Sequence, residues 1–160
     1  KKWLCQFSKL FTTNNKRVTV ELIVNFKDFK SSFDKHKHSV PEILYDELTF
    51  LWIGDYYDGM LEGMLKYKNE KYKFEIITDY KKHIYPRTFA IIGLTENQIK
   101  EEEYWNEQFE KYVGNHNNLE TKEERKVKPQ SEHHLFYDEF NKRKNKGYDK
   151  NIVKGWYIES

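Results

Sequence analysis

The sequence has few of the residues on which compact sites and covalent cross-links depend: one cysteine, seven glycines and three prolines in 160 residues. The single cysteine, Cys5, excludes an intrachain disulfide and favours a reducing, cytoplasmic location. No G-x-S-x-G, Walker glycine loop or G-x-G-x-x-G occurs, so the common serine-hydrolase and nucleotide-binding motifs are absent. Because no apolar run approaches the roughly 18 residues of a membrane span, we expect no membrane contact.

Neither sign of charge dominates the sequence. The 28 Lys and Arg residues against 26 Asp and Glu residues leave a formal net charge of +2. This balance by itself indicates neither nucleic acid nor an acidic membrane as a partner. Lysine and tyrosine are abundant whereas alanine occurs once, at Ala90, which we interpret as codon bias in an AT-rich bacterial genome. Clusters of lysine and tyrosine therefore need a further argument before they indicate a site.

The length and the aromatic content fit one domain covering residues 1–160. Twelve Tyr, eleven Phe and four Trp supply enough large apolar surface for a core. Residues 115–130 are polar and highly charged, so we expect a mobile surface loop there. The chain starts at Lys1 rather than Met, so we expect an initiator, a tag or a leader to precede it.

The hydrophobic patterns predict an α+β fold, with a mostly antiparallel sheet built from hairpins and packed by one long helix and one or two shorter ones. The predicted strands cover residues 3–10, 18–26, 87–92 and 152–159, with a further hairpin over residues 61–77 and a short apolar run at residues 50–53. The strand at residues 87–92 is apolar on both faces, as in the middle of a sheet. Residues 27–38 resemble a linker.

Three helices are predicted, over residues 39–48, 95–113 and 131–144. The middle one has the clearest ends, because Thr95 and Gln98 form a capping box and Gly114 occupies the position after the last turn. Its apolar stripe is expected to pack on the sheet and consists of Ile99, Trp105, Phe109, Tyr112 and Val113. In the last helix, capped by Ser131, the residues expected to point inward are Leu135, Phe136 and Phe140.

The hairpin over residues 61–77 allows a prediction of register. A two-residue turn at Asn69 and Glu70 would bring Leu65 opposite Phe74. The face that this register assigns to the core consists of Leu61, Leu65, Tyr67, Tyr72, Phe74 and Ile76. Those side chains are all apolar or aromatic, so the hairpin should pack one face on the rest of the domain.

The other face of the predicted hairpin carries four lysines. In the same register Lys68 lies opposite Lys71 and Lys66 opposite Lys73, and such like-charged pairs cost a few tenths of a kcal/mol each, in round terms. The cost suggests an anionic ligand, because four ammonium groups on adjacent strands would attract phosphates or an acidic protein. The alternative is an ordinary solvated face, since lysines also discourage aggregation between sheet edges.

The loop at residues 54–59 is a second candidate, because it places two carboxylates and two phenols at the mouth of the predicted sheet. Asp55 and Asp58 have the chemistry of an acid and a base, or of a shared cation site. Both are also common turn residues beside glycine, and Tyr56 and Tyr57 would equally serve to cover the edge of the core.

The histidines form two sparse patterns. His36 and His38 make an H-x-H pair, while His134 and Asp138 lie four residues apart on a predicted helix and share its face. Both spacings suit a metal ion, but neither belongs to a complete zinc motif. We therefore expect neither a metal site nor a cofactor, and keep these four residues as weak metal candidates.

A well-defined predicted scaffold, a charged surface and the lack of a convergent set of catalytic groups together favour a non-enzymatic interaction domain. We expect it to bind a protein partner or another anionic ligand through the lysines of the hairpin together with Tyr56 and Tyr57. Small bacterial proteins of this kind can cap or inhibit a protein partner. One alternative is a nucleic-acid-binding protein, in which the lysines contact phosphates and the tyrosines stack on bases. Another is a metal-dependent hydrolase using Asp55, Asp58 and the histidines.

Overall fold

The computed structural model describes residues 23–55, 60–82, 85–115, 126–143 and 148–159. It confirms the α+β class, because a five-stranded antiparallel sheet is combined with helices. The strands are β1 (Thr49–Asp55), β2 (Glu62–Tyr67), β3 (Glu70–Ile76), β4 (Thr88–Ile92), β5 (Gly114–Asn115), β6 (Lys126–Val127) and β7 (Val153–Ile158). The large sheet has the order β1-β2-β3-β4-β7, and β5 pairs with β6 separately.

The helices are α1 (Phe26–Ser31), α2 (Phe33–His36), α3 (Glu96–Tyr112) and α4 (His133–Phe140). Short 3₁₀ turns lie at Lys37–Ser39, Tyr45–Glu47, Tyr80–Lys82, Gln130–Glu132 and Tyr148–Lys150. In the described part of the chain, no helix is both long and apolar enough to cross a membrane.

The ends of α3 follow the predicted capping pattern. The Gln98 backbone N–H donates to the Thr95 hydroxyl at 3.3 Å, and the Thr95 N–H donates to the Gln98 side chain at 2.8 Å. Gly114 follows the helix with a φ of 108°, a conformation that favours glycine. The other predicted helix near the carboxyl end, α4, is shorter than expected, since Ser131 lies in a 3₁₀ turn before it.

The helix predicted over residues 39–48 is wrong. Val40 precedes a proline and takes an extended conformation, as the clash with the proline ring requires. The chain then runs beside β7, where the Ile43 N–H donates to the Trp156 carbonyl at 2.8 Å and the Trp156 N–H donates to the Pro41 carbonyl at 3.1 Å. Only Tyr45–Glu47 makes a single 3₁₀ turn. Pairing with a strand more than 100 residues away has replaced the local helix.

The structure also corrects the predictions for residues 23–38, the part of the amino-terminal region that it describes. Residues 27–38, expected to be a linker, form α1 and α2, and Phe29 of α1 is fully buried. Phe26, predicted as the last residue of a strand, is instead the first residue of α1, because the Asn25 side chain accepts the Asp28 N–H and caps the helix. The rest of the predicted hairpin, at residues 3–22, lies outside the described residues, as do residues 116–125 of the predicted loop.

The β2–β3 hairpin turns one residue earlier than predicted. Lys68 and Asn69 have φ values of 47° and 70°, which is the pattern of a type I′ turn. Leu65 therefore lies opposite Tyr72, rather than opposite Phe74. The shift in pairing is two residues, and an even shift leaves each side chain on its predicted face.

The sheet is buried on both faces. One face packs a cluster that includes Leu65, Phe74, Phe89 and Tyr157, where the Phe89 and Tyr157 rings stack with centroids 4.9 Å apart. The opposite face packs α1 against Ala90, Ile92 and Val153. Because β4 contributes to both clusters, the prediction that it is apolar on both faces is confirmed.

Candidate functional site

Two of the four hairpin lysines are neutralised by carboxylates. Lys73 is only 6% exposed, and its ammonium nitrogen lies 2.7 Å from a Glu62 carboxylate oxygen on β2. The same ammonium stands over the Tyr148 ring, 4.8 Å from its centroid. Lys71 forms an ion pair with Glu103 of α3. These two lysines therefore lie against other parts of the domain, rather than on an open surface.

The other two lysines lie toward the turn of the hairpin. Lys66 is opposite Lys71, so one like-charged pair exists, but the predicted pairs of Lys68 with Lys71 and of Lys66 with Lys73 are wrong because the turn is displaced. Lys68 is exposed and stands over the Tyr67 ring at 4.9 Å. A hydrogen bond with Tyr67 raises the pKa of Lys68. A binding role for Lys66 and Lys68 remains a prediction.

Three consecutive carboxylates of α3 face the cations of the domain. We call Glu101, Glu102 and Glu103 the acidic run. The Arg143 guanidinium contacts Glu102 at 2.6 Å and Glu101 at 3.4 Å, and the Tyr148 hydroxyl donates to Glu102. These ion pairs were not predicted, although three adjacent glutamates on one helix are a signal for contacts with cations of other elements.

The loop at residues 54–59 is described only in part. Asp55 is the last residue of β1 and pairs in register with Glu62. Tyr56, Tyr57 and Asp58 lie outside the described residues. A functional role for these four residues remains a prediction.

The histidine candidates belong to two helical segments of the described structure, α2 with the 3₁₀ turn after it and α4. His36 ends α2, and His38 follows in the next 3₁₀ turn. His134 and Asp138 lie one turn apart on α4, and the His134 Nδ1 is 2.7 Å from the Ser131 carbonyl oxygen. Among the residues that the structure describes, no group of three or more His, Cys, Asp or Glu side chains is placed to hold a metal ion.

The helices α3 and α4 pack on each other through aromatic rings. The Trp105 and Phe140 centroids are 5.4 Å apart, and those of Phe109 and Phe136 are 5.3 Å apart, both with rings edge to face. The apolar stripe of α3 was predicted to pack on the sheet, but these two members contact α4. None of the residues of α3, a helix that is described throughout, is fully buried. Much of this helix pair is accordingly accessible to solvent.

Large apolar side chains border this contact on its solvent side. Tyr104 is 51% exposed, Leu135 is 47% exposed and Tyr137 is 41% exposed, so the prediction that Leu135 points inward is wrong. The Tyr104 ring packs on Trp105 at 5.2 Å, and the Tyr137 ring packs on Phe136 at 5.1 Å. Since the Trp105 and Phe136 centroids are 6.1 Å apart, the rings form a continuous path across both helices. We use the name aromatic surface for the exposed residues Tyr104, Leu135 and Tyr137 together with partly buried Trp105 and buried Phe136, on which the two tyrosines pack.

No protein-family model, curated protein or solved structure matches the chain. The choice among the aromatic surface, the acidic run and the hairpin lysines as a binding surface therefore rests on their exposure, contacts and charge in this structure.

Proposed function

We propose that this chain is a protein-interaction domain whose partner binds the aromatic surface of the α3–α4 helix pair. The observation that carries the proposal is the exposure of Tyr104, Leu135 and Tyr137, of which Tyr104 packs on half-buried Trp105 and Tyr137 on buried Phe136. Contiguous exposed apolar side chains often mark protein contacts, and tyrosine and tryptophan are enriched among the residues that dominate binding energy.

This surface supports protein binding better than the hairpin lysines do. An open lysine face was the basis of both the anionic-ligand hypothesis and the nucleic-acid hypothesis, but Lys73 is buried against Glu62 and Lys71 is paired with Glu103. The exposed Tyr104 and Tyr137 rings pack on Trp105 and Phe136 of their own helices, and those two rings meet in the contact between α3 and α4. A surface ordered in advance loses less side-chain entropy on binding.

The test is affinity capture from the source organism, with Tyr104→Ala and Tyr137→Ala tested separately. Each substitution should weaken binding of the captured partner about tenfold or more, because truncation of a central aromatic contact typically costs at least 1–2 kcal/mol, on the order of tenfold in affinity. Titration calorimetry with the purified partner measures the change.

Leu44→Ala provides the matched control, since Leu44 is 64% exposed and belongs to a different part of the domain. This control should leave the affinity unchanged. Equal affinity for the wild type, Tyr104→Ala and Tyr137→Ala would contradict the proposal, whichever partner is captured.

A further inference from the structure

The α3–α4 helix pair has an aromatic cluster of its own. Phe136 stacks on Phe140 with centroids 5.0 Å apart, and Trp105 of α3 lies edge to face with both rings. Among the described residues, neither of the two apolar clusters of the large sheet includes a residue of α3 or α4. In α1, by contrast, Phe26 and Phe29 are buried in one of these clusters. The sheet therefore holds α1 by apolar burial, and it does not hold the helix pair in that way.

Polar contacts join the middle of α3 to the rest of the domain. Glu103 pairs with Lys71 of β3, and the Glu102 carboxylate accepts a hydrogen bond from the Tyr148 hydroxyl. Lys71 and Glu103 are both partly exposed, so water and ions screen this ion pair. The contact with Tyr148 is better shielded, because the Glu102 side chain is only 11% exposed. We therefore expect the hydrogen bond from Tyr148 to be the stronger of the two attachments.

Tyr148 lies where the helix pair meets the sheet. Its ring packs against the apolar cluster around Ala90 and lies 4.8 Å from the Lys73 ammonium. Its hydroxyl donates to Glu102 of α3 and accepts a hydrogen bond at 3.1 Å from Arg143, which follows α4. One side chain thus has its ring on the sheet and its hydroxyl on the helix pair.

We propose that α3 and α4 open from the large sheet together, as one unit, while the sheet stays folded, and that the Tyr148 hydroxyl is the latch that holds this unit closed. Opening breaks polar contacts and leaves both apolar clusters of the sheet assembled, whereas unfolding of the sheet exposes both clusters to water. Opening of the helix pair therefore has the lower free energy. The inference concerns the domain alone and does not rest on the proposed function.

The start of α3 is the anchored end of the unit. The Asn151 side chain donates to the Gln98 side-chain oxygen at 3.0 Å and to the Gly93 carbonyl at 2.7 Å. Leu94, just before the helix, packs against the cluster around Ala90. These contacts keep the beginning of α3 beside the start of β7, so the unit opens by moving the middle and the far end of α3 away from β3.

The open state differs from the closed one in its available charges. Lys71 and Glu103 are paired when the unit is closed and become separate when it opens. Glu101 and Glu102 keep their ion pairs with Arg143, because all three residues move with the unit. A ligand that needs the free ammonium of Lys71 would bind only the open state and raise its population.

Native-state hydrogen exchange of the intact chain, followed amide by amide by NMR, tests the proposal with Tyr148→Phe and its matched control Tyr72→Phe. Each substitution removes a hydroxyl that donates to a carboxylate and keeps the ring. Tyr148→Phe should speed exchange in both helices about tenfold, as expected for a lost hydrogen bond to a charged acceptor. Tyr72→Phe should speed exchange of the slowest amides of β3 and β4 about threefold and leave both helices unchanged, because the sheet stays folded when the unit opens.

In the wild type, the amides of both helices should be less protected than the slowest amides of β4, by about a hundredfold or more. Equal protection of helices and sheet, with Tyr72→Phe speeding both, would overturn the proposal, because the helices would then exchange only through unfolding of the whole domain. Faster exchange in α3 but not in α4 of Tyr148→Phe would show that the two helices do not open as a unit. Unchanged exchange in both helices would show that Tyr148 is not the latch.

If Tyr148→Phe fails to fold, as judged by circular dichroism, Lys71→Gln replaces it and Lys66→Gln becomes the control. Both substitutions remove one positive charge from the hairpin, but only Lys71 pairs with the helix. Because that ion pair is partly exposed, its loss should leave the fold intact and speed exchange in both helices about threefold. Equal helix exchange in the two lysine variants would overturn the proposal.

Discussion

At the scale of single residues, Tyr157 is the least expected feature of the core. Its ring stacks on Phe89 and is fully buried, but its hydroxyl makes no hydrogen bond within the described structure. A buried hydroxyl without a partner loses its hydration and regains little. Tyr72 of β3 provides the opposite case, because its hydroxyl donates to Glu70 at 2.6 Å.

Tyr157→Phe should therefore raise the free energy of unfolding by about 1 kcal/mol, since it removes the unpaired hydroxyl and keeps the ring. Tyr72→Phe should lower it by about 0.5–1 kcal/mol, since it removes a hydrogen bond. Urea denaturation measures both. A Tyr157→Phe protein less stable than the wild type would show that the hydroxyl is satisfied in solution.

The same tyrosines predict how stability changes at alkaline pH. Burial raises the pKa of Tyr72 to about 12, with Glu70 adding to the shift, and burial raises the pKa of Tyr157 further. A raised pKa in the folded state favours the neutral phenol. The stabilisation that each such phenol gives the folded state is therefore complete below about pH 10 and is lost as pH rises above that value. We expect the free energy of unfolding to fall above pH 10.

The fall should be shallower in Tyr157→Phe, by up to about 1.4 kcal/mol for each pH unit, because one of the titrating groups is gone. Urea denaturation at several values between about pH 9 and 11.5 gives the two slopes. Parallel slopes for the wild type and Tyr157→Phe would contradict the assignment of the shift to this residue.

At the scale of elements, the contact between β1 and β2 depends on a glycine. A Cβ atom added to Gly63 would lie 2.2 Å from the Trp52 carbonyl oxygen and 2.7 Å from the Phe74 ring. Neither neighbour can move easily, because the Trp52 carbonyl belongs to the backbone of a paired strand and the Phe74 ring is packed in the core. Gly54, also in this strand pair, has its nearest contact at 3.5 Å, with the Glu62 side chain.

Gly63→Ala should lower the free energy of unfolding by about 3 kcal/mol, because the backbone of β1 must move to admit the methyl group. Gly54→Ala should change it by no more than about 0.5 kcal/mol, because only a flexible side chain is near. Thermal and urea unfolding of the two variants measure the difference. Equal stabilities would mean that the strands separate at little cost.

The sequence predicted best those features whose signals come from residues close together in the chain. The capping residues of α3, the double-sided apolar character of β4 and the two faces of the hairpin were all predictable, because each depends on residues close in sequence. The segment of residues 41–43 was not, since its hydrogen bonds go to Trp156, and neither was α1, whose buried Phe29 packs against distant strands. At residues 41–43 long-range pairing overrode a weak local helix signal, whereas in α1 burial of Phe29 accompanies a helix that the local sequence did not indicate.

At the scale of the whole molecule, the sequence pointed to the hairpin as the binding surface, whereas the surface proposed from the structure lies on the α3–α4 helix pair. The sequence places four lysines on the hairpin, but it does not show that Lys66 lies opposite Lys71 or that Glu62 and Glu103 meet Lys73 and Lys71. The aromatic surface was equally hidden, because the Trp105 and Phe136 rings, on which Tyr104 and Tyr137 pack, meet only when α3 packs on α4. Charge pairing and helix packing therefore decided which of the two surfaces is exposed.

The most direct test of the proposed function is hydrogen–deuterium exchange of the domain, free and bound to the captured partner. We predict that binding slows amide exchange in the peptides covering α3 and α4, around Tyr104 and Tyr137. Protection confined to the β2–β3 turn, around Lys66 and Lys68, with no change in either helix, would contradict the proposed function.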